Sequence, residues 1–450
     1  MKKLMMTSLA TFVAASLLAA PEITNVAVAQ DPLTHVVTVS YDLNEDAIVT
    51  VAFLTNGVVC ETSKAVAGDV WRLVKVTGEL KKGSTTEYMT YPHRKLSWNV
   101  AADLGETNLA NYSLAARVTA WSEDSPPTYY VLDLANAVTR RRYYEYEGQL
   151  PFGIGSDVYR TTQMVFRRIP AAQQTFVMGA SAAETQAAGH WQTTWAGAET
   201  QHNVTFSKDY YIGVFEVTQA QWLQVIGFFI PPSGGDEWKM PQSYENEAHT
   251  LPVQNCARNR WLCGEKHSSD SWKGDVDQAV SLGYLSKNTF FYELRQRLGG
   301  QSKHYNLPTE AQWEYACRAG TTTAFSDGRD YNASADYSDI AVYGTTQPAR
   351  VGSKKPNAWG LYDMHGNIAE IVLDNAKRND KEPKNVDEEY AKDATDPHGW
   401  ESGFTDMCLR GGSWGGTSAT LRSAFRNAGT WWGGLAAAQG FRVAVPVDEL

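Results

Sequence analysis

The sequence predicts an α+β chain in two parts, a small all-β sandwich followed by a larger, loop-rich mixed domain. Three observations carry this. A length of 450 residues exceeds one ordinary compact core. Apolar residues alternate with a period of two through the first third of the chain. The remainder holds a few short helices with strong start signals, set in Gly- and Trp-rich irregular sequence.

The chain opens with "MKKLMMTSLATFVAASLLAA", in which Lys2 and Lys3 precede an apolar run from Leu9 to Ala20 that ends in small residues. This is the pattern of a secretory signal peptide, expected over residues 1–20. Cleavage after Ala20 is preferred to cleavage after Ala29, because "EITNVAVAQ" reads as a first strand. No later segment offers the ~18 uninterrupted apolar residues of a membrane span, so an exported protein without a membrane span is expected. From Pro21 to Tyr144 the pattern is β. Val37, Val39, Tyr41 and Leu43 alternate with polar residues, and Leu114, Ala116, Val118 and Ala120 repeat the period. Polar turns such as "LTNG" and "SEDSPP" separate these runs. Together they predict an antiparallel sandwich of immunoglobulin or fibronectin type III style, a module that mostly spaces or binds.

Residues 145–160, with Gly148, Pro151, Gly153 and Gly155 and no periodicity, read as a linker to a second domain over 161–450. Two of its helices open on capping boxes, Thr218 with Gln221 and Thr309 with Gln312. There the hydroxyl and the amide side chain satisfy backbone N–H groups that the first turn leaves unpaired. Gly227 and Gly320 are the expected left-handed stops. A third helix, "NTFFYELRQRLGG", puts Phe291, Leu294 and Leu298 on one stripe, and the mixed charges from Asp374 to Asp396 read as a solvated loop.

A net charge of -10 and the absence of any basic stripe longer than the triplet Arg140 to Arg142 argue against a nucleic-acid partner. Fifteen tryptophans and 22 tyrosines suggest many short elements pinned by large side chains, ahead of a sugar- or peptide-binding surface. Five cysteines leave at least one free or paired outside the chain, while Cys256 and Cys263 are close enough for a small loop disulfide. With His267 these two lack the fourth ligand and tighter spacing of structural zinc. Gly411-Gly412-Ser413-Trp414-Gly415 fits the G-x-S-x-G turn of a nucleophilic serine, but that turn needs a later histidine and the last one is His398. No nucleotide cofactor is expected.

Eight phrases in order, among them "FVMGA", "VFEVTQAQW", "YNLPTEAQWEYACRAGTTTAF", "GLYDMHGNIAE", "LRGGSW" and "GFRVA", resemble the formylglycine-generating enzyme, or sulfatase-modifying factor, family from Thr161 to Val445. The resemblance implies a loop-rich α+β domain akin to C-type lectins. In the oxidase members, two copper-binding cysteines after the "RGGS" serine convert a sulfatase cysteine to formylglycine with oxygen. Here those positions fall on Gly416 and on or beside Leu421, and neither side chain binds Cu(I). The oxidases' "WEW" tryptophan is Ala369. Copper is therefore not expected, and "RGGS" reads as a structural turn with Ser413 at the family-matching position. An iron-dependent relative that forms sulfur–carbon bonds is set aside, because no H-x-x-x-H pair exists.

The resemblance also implies calcium, wrapped by side-chain oxygens of Asp363 and Glu370 and the backbone carbonyls of Gly366 and Ile368. Hard oxygens on a tight loop suit that ion. His365 reads as a packing residue. The leading functional reading is an exported, non-oxidase, lectin-like module for a protein or glycan ligand, binding around Ser413, Trp414, Arg426, Asn427, Trp431 and Trp432. A formylglycine-type oxidoreductase with rearranged ligands, or another enzyme, is the alternative. A third class is a ligand-binding protein diversified by retroelements.

Overall fold

A computed structural model of the chain describes residues 21–33, 36–44, 47–59, 93–99, 113–122, 125–135, 141–189, 199–227, 248–254, 256, 262, 289–298, 304–376, 393–397, 406–430 and 438–447. The leader expected at 1–20, Cys263, His267, Trp431 and Trp432 lie outside these residues.

The alternating runs of the first part form β1 (Ile23–Gln30), β2 (Val36–Leu43), β3 (Ile48–Thr55), β4 (Val58–Val59), β5 (His93–Asn99) and β6 (Leu114–Trp121). Two three-stranded antiparallel sheets result, ordered β1-β2-β5 and β4-β3-β6. In β2 every second residue is buried, as a strand with one covered face requires. Val37 and Val39 of one sheet share a cluster with Val51 and Phe53 of the other, and Tyr41 and Leu43 share one with Val49. The two sheets thus bury each other's apolar faces.

The downstream part adds β7 (Tyr129–Asp133), β8 (Arg141–Tyr144), α1 (Val158–Thr161), β9 (Gln163–Ile169), β10 (Thr175–Met178), α2 (Ala182–Ala187), β11 (His202–Thr205) and β12 (Tyr210–Gly213). It continues with α3 (Gln219–Ile226), α4 (Phe290–Arg297), α5 (Glu310–Arg318), β13 (Ala369–Ala376), β14 (Ala394–Thr395), β15 (Asp406–Arg410), β16 (Asn427–Thr430), β17 (Gln439–Gly440) and β18 (Ala444–Pro446). Five antiparallel strands form one sheet in the order β18-β12-β9-β7-β8. A second sheet runs β16-β15-β13-β17, and a third β10-β11-β14. The mixed part is sheet-rich with few helices.

The sheet membership of β7 and β8 differs from the sequence expectation, which gave residues up to Tyr144 to the sandwich. Both are hydrogen-bonded into the downstream sheet, with Tyr130 opposite Phe166 and Tyr143. All five residues of β7 are buried. A strand covered on both faces shows no alternation that could assign it to either part. The expected spacer at 145–160 is also docked. Glu145 accepts hydrogen bonds from Thr50 Oγ1 at 2.7 Å and Arg117 at 2.9 Å, both in the all-β part. Ile48 joins the same apolar cluster as Tyr143 and Trp222. Gly and Pro here mark turns, not separation.

Both capping boxes form. Gly227 closes α3 in the left-handed region, whereas after α5 it is Ala319, at φ +45°, that takes this conformation, with Gly320 following it. Helix α4 buries Phe291 and Leu294 as its stripe predicts. Of the expected loop from Asp374 to Asp396, the first residues extend β13 and Ala394–Thr395 pair with β11; 377–392 lie outside the described residues. Cys256 is free and buried, and burial pushes its thiol well above the ordinary range; Cys263, its expected partner, lies outside the described residues.

Candidate functional site

The segment Asp363 to Glu370 leads into β13 and is wound tightly: Asp363, Gly366 and Asn367 take φ of +57°, +82° and +60°. A side chain at Gly366 would place its Cβ 2.3 Å from the Val342 carbonyl oxygen, so only glycine fits. The "RGGS" turn grips this loop. Gly366 N–H donates to Gly411 O at 2.7 Å, and Trp414 N–H donates to Asn367 O at 2.8 Å. At Gly412, φ +70°, a Cβ would lie 2.4 Å from Thr420 O. The glycines of "RGGS" therefore serve close backbone approach.

Beneath the loop lies a buried polar cluster. Glu370 accepts from Arg442 through Nε at 2.6 Å and through a terminal nitrogen at 2.5 Å, and from the Trp313 indole at 2.8 Å. Glu216 accepts from Asn367 Nδ2 at 2.7 Å and Ile368 N–H at 3.0 Å. Asp363 accepts from Gly352 N–H at 2.5 Å through Oδ2, while its Oδ1 is buried with no hydrogen-bond partner. Burial is the main reason that the Asp363 carboxyl is pushed up to about 6, with Glu370 adding to it and the Gly352 amide and Arg442 opposing. Burial, then the charges of Asp363 and Glu370, raise Glu216 well above the carboxylate range.

These observations test the implied calcium. Asp363 fits, since an orphaned carboxylate oxygen inside a protein is costly unless a proton or cation meets it. The donor set fits too, being hard oxygen throughout. Glu370 differs from the expectation: both its oxygens are engaged by Arg442 and Trp313, because a fully buried guanidinium must have a counter-ion. Its charge faces the loop, but its carboxylate is not a free arm.

A second network backs the turn. Arg410, fully buried, binds Glu310 and Glu314, and Arg318 also pairs with Glu314. Arg426, expected on the ligand surface, instead turns inward and grips both oxygens of Glu310. Burial opposes ionisation of Glu310, yet Arg426 and Arg410 outweigh it and hold the carboxyl below its ordinary range. Ser413 and Trp414 are half-buried and Asn427 is exposed, so these three keep a surface position.

The two positions at which the resemblance implies copper cysteines carry no sulfur. A Cβ at Gly416 would meet Thr420 Oγ1 at 2.6 Å, and Leu421 is fully buried in an apolar cluster with Phe325 and Tyr337. Nor does His365 serve Ser413 as a base. Its Nδ1 lies 2.7 Å from Leu421 O and its Nε2 2.8 Å from Ser326 Oγ, and burial lowers its pKa to about 4. It packs, as expected.

Sequence reading missed Glu216, Arg410 and Arg442, and it places Trp313 on the buried face of its helix without foreseeing its bond to Glu370. The one local signal was Glu216 standing two residues before a helix N-cap, where a solvated carboxylate would be equally at home.

Among solved structures, Treponema denticola variable protein 1 is 23% identical, with 65% of this chain and 97% of that one covered and a TM-score of 0.43. PvdO from Pseudomonas aeruginosa is also 23% identical, at 63% and 94% coverage and a TM-score of 0.43. Chaperone protein LppX of Paenibacillus barcinonensis is 28% identical over 188 residues, which are 37% of this chain and 62% of that one. The formylglycine-generating enzyme of Mycobacterium tuberculosis is 35% identical over 75 residues, 14% of this chain and 25% of the enzyme. The chain thus spans less than two thirds of each of these two relatives. Residues 161–447, more than half of the chain, match the sulfatase-modifying factor enzyme 1-like domain, and the protein belongs to that family.

Proposed function

We propose that this protein is an exported, non-oxidase member of its family that acts as a C-type-lectin-like binding module for a protein or glycan. The observation that carries this reading is the pair Gly416 and Leu421: one position has no side chain, the other is locked in apolar packing. Cu(I) needs soft sulfur ligands, and these positions supply none. Ser413, Trp414 and Asn427 form the core of the ligand surface, with Trp431 and Trp432 following in sequence. The all-β part, read as an immunoglobulin or fibronectin III type of sandwich, presents this module. Calcium belongs to the same reading. It would be held by Asp363 and the carbonyls of Gly366 and Ile368, with Glu370 completing the charge, and it would fix the loop to which the "RGGS" turn is bonded.

The test is aerobic incubation of the mature protein with Cu(I) and a sulfatase-type Cys-x-Pro-x-Arg peptide, read by mass spectrometry. No conversion of thiol to aldehyde is expected. Stoichiometric aldehyde would overturn the non-oxidase reading.

A further inference from the structure

The inference concerns Glu216 and rests on the calcium reading above. Glu216 lies between β12 and the N-cap Thr218 of α3 and is fully buried. Its backbone surroundings are fixed on both sides. Val217 N–H donates to Phe441 O at 2.9 Å, and Thr218 is locked in its capping box. From this rigid point the carboxylate reaches across more than 150 positions of sequence and forks over the cation loop. One oxygen takes the Ile368 amide at 3.0 Å, the other the Asn367 side-chain amide at 2.7 Å.

The amides on either side of Ile368 are also pinned, Asn367 N–H to Val342 O at 2.9 Å and Ala369 N–H to Ala438 O at 2.8 Å. In a planar trans peptide the carbonyl points opposite to the N–H. Fixing the amides of 367 and 369 therefore fixes the directions of the 366 and 368 carbonyls. The peptide between those two is the one Glu216 holds, and Asn367 itself sits at φ +60°, a conformation an L residue keeps only when its surroundings impose it. Charge points the same way. Three carboxyl groups, of Glu216, Asp363 and Glu370, meet in this cluster, and Asp363 Oδ1 is buried with no hydrogen-bond partner.

We propose that Glu216 is the positioning residue of this loop: its carboxylate clamps Asn367 and Ile368 so that Asp363 Oδ1 and the 366 and 368 carbonyls meet a hard divalent cation as a preformed set. Groups that hold metal ligands in place typically govern affinity by 10- to 100-fold.

The experiment is calcium titration calorimetry on the mature full chain, alongside melting with and without calcium. Glu216→Gln keeps the shape but turns an amide against the Asn367 amide, and it should bind calcium at least ~10-fold more weakly. Adding Asn367→Asp reverses donor and acceptor across the same contact and should restore most of the affinity. Should Glu216→Gln not fold, Asn367→Gly, which accepts the left-handed backbone and loses one arm of the clamp, should show weaker binding by itself. Absence of calcium binding by the wild type overturns both the calcium reading and this one. Wild-type binding with unchanged affinity in Glu216→Gln, or in Asn367→Gly, overturns the clamp alone. A weakening that Asn367→Asp fails to repair also overturns it, leaving Glu216 to act by charge.

Discussion

Arg442 holds both carboxylate oxygens of Glu370, at 2.5 and 2.6 Å, in a place where neither side chain is more than 1% exposed. The pair joins the loop before β18 to β13, two segments of different sheets. Removing one member leaves a naked charge in the interior, which typically costs about 3–5 kcal/mol. Arg442→Met should lose that much in urea unfolding. The double variant Arg442→Met with Glu370→Gln should recover part of it, and a double variant no better than the single would show that the loss is one of packing.

Calcium should raise the melting temperature of the protein, and chelation should lower it. At a hundredfold excess over Kd the gain is about 2.7 kcal/mol. Asp363→Asn, which weakens the oxygen that lacks a partner, should abolish the response. A full calcium response in this variant would move the ion elsewhere.

Acidification should destabilise the protein through His365. Its folded pKa, about 4, lies below the model-peptide value of 6.5, so the neutral ring contributes stability above pH 6.5 that is lost as pH falls toward 4. The full effect is on the order of 3 kcal/mol. His365→Gln should be less stable at pH 7.5 and show a flatter profile over that window. Asp363 acts in the opposite sense. Raised to about 6, it favours the protonated form, and its contribution is lost as pH rises through that value. In chelator, Asp363→Asn should therefore gain on the wild type as pH climbs from about 4 to about 6, and the gain should level off above that.

Gly366→Ala should be among the most damaging single-methyl changes in the chain. It sets a Cβ 2.3 Å from a backbone oxygen at φ +82°. A loss of about 3 kcal/mol or more is expected, seen as a fall in melting temperature. Gly328→Ala is the control: it shares a positive φ but meets nothing within 4 Å, and should cost far less.

Truncation should respect the sheet, not the composition of residues 145–160. A fragment from Thr161 to Leu450 lacks β7 and β8 and exposes the edge of β9, so it should aggregate. A fragment beginning at Ser125 retains both strands and should melt cooperatively. Solubility of the shorter piece with a cooperative transition would contradict this.

What could be read in advance follows from the range of each signal. The boxes at Thr218 and Thr309 involve residues three apart, and β2 shows its covered face in eight consecutive letters. These were legible. β7 was recognisable as β but not as belonging downstream, since five buried residues in a row carry no facing information. The loop from Asp363 to Glu370 was found through its resemblance to the family, yet its partners were not. Glu216 lies 151 positions from Asn367 and Arg442 lies 72 from Glu370, and no local pattern marks which charge will meet which.

The position of β18 bears on how the chain is made. Residues 444–446 zip onto β12, some 230 positions earlier, and Arg442 arrives just ahead of them. Until a ribosome has released that stretch, β12 lacks one neighbour and Glu370 lacks its counter-ion. A nascent chain must therefore wait in an open state, and pairings so distant in sequence form slowly. A copy interrupted before Phe441 would lack both this last strand pairing and the counter-ion of Glu370.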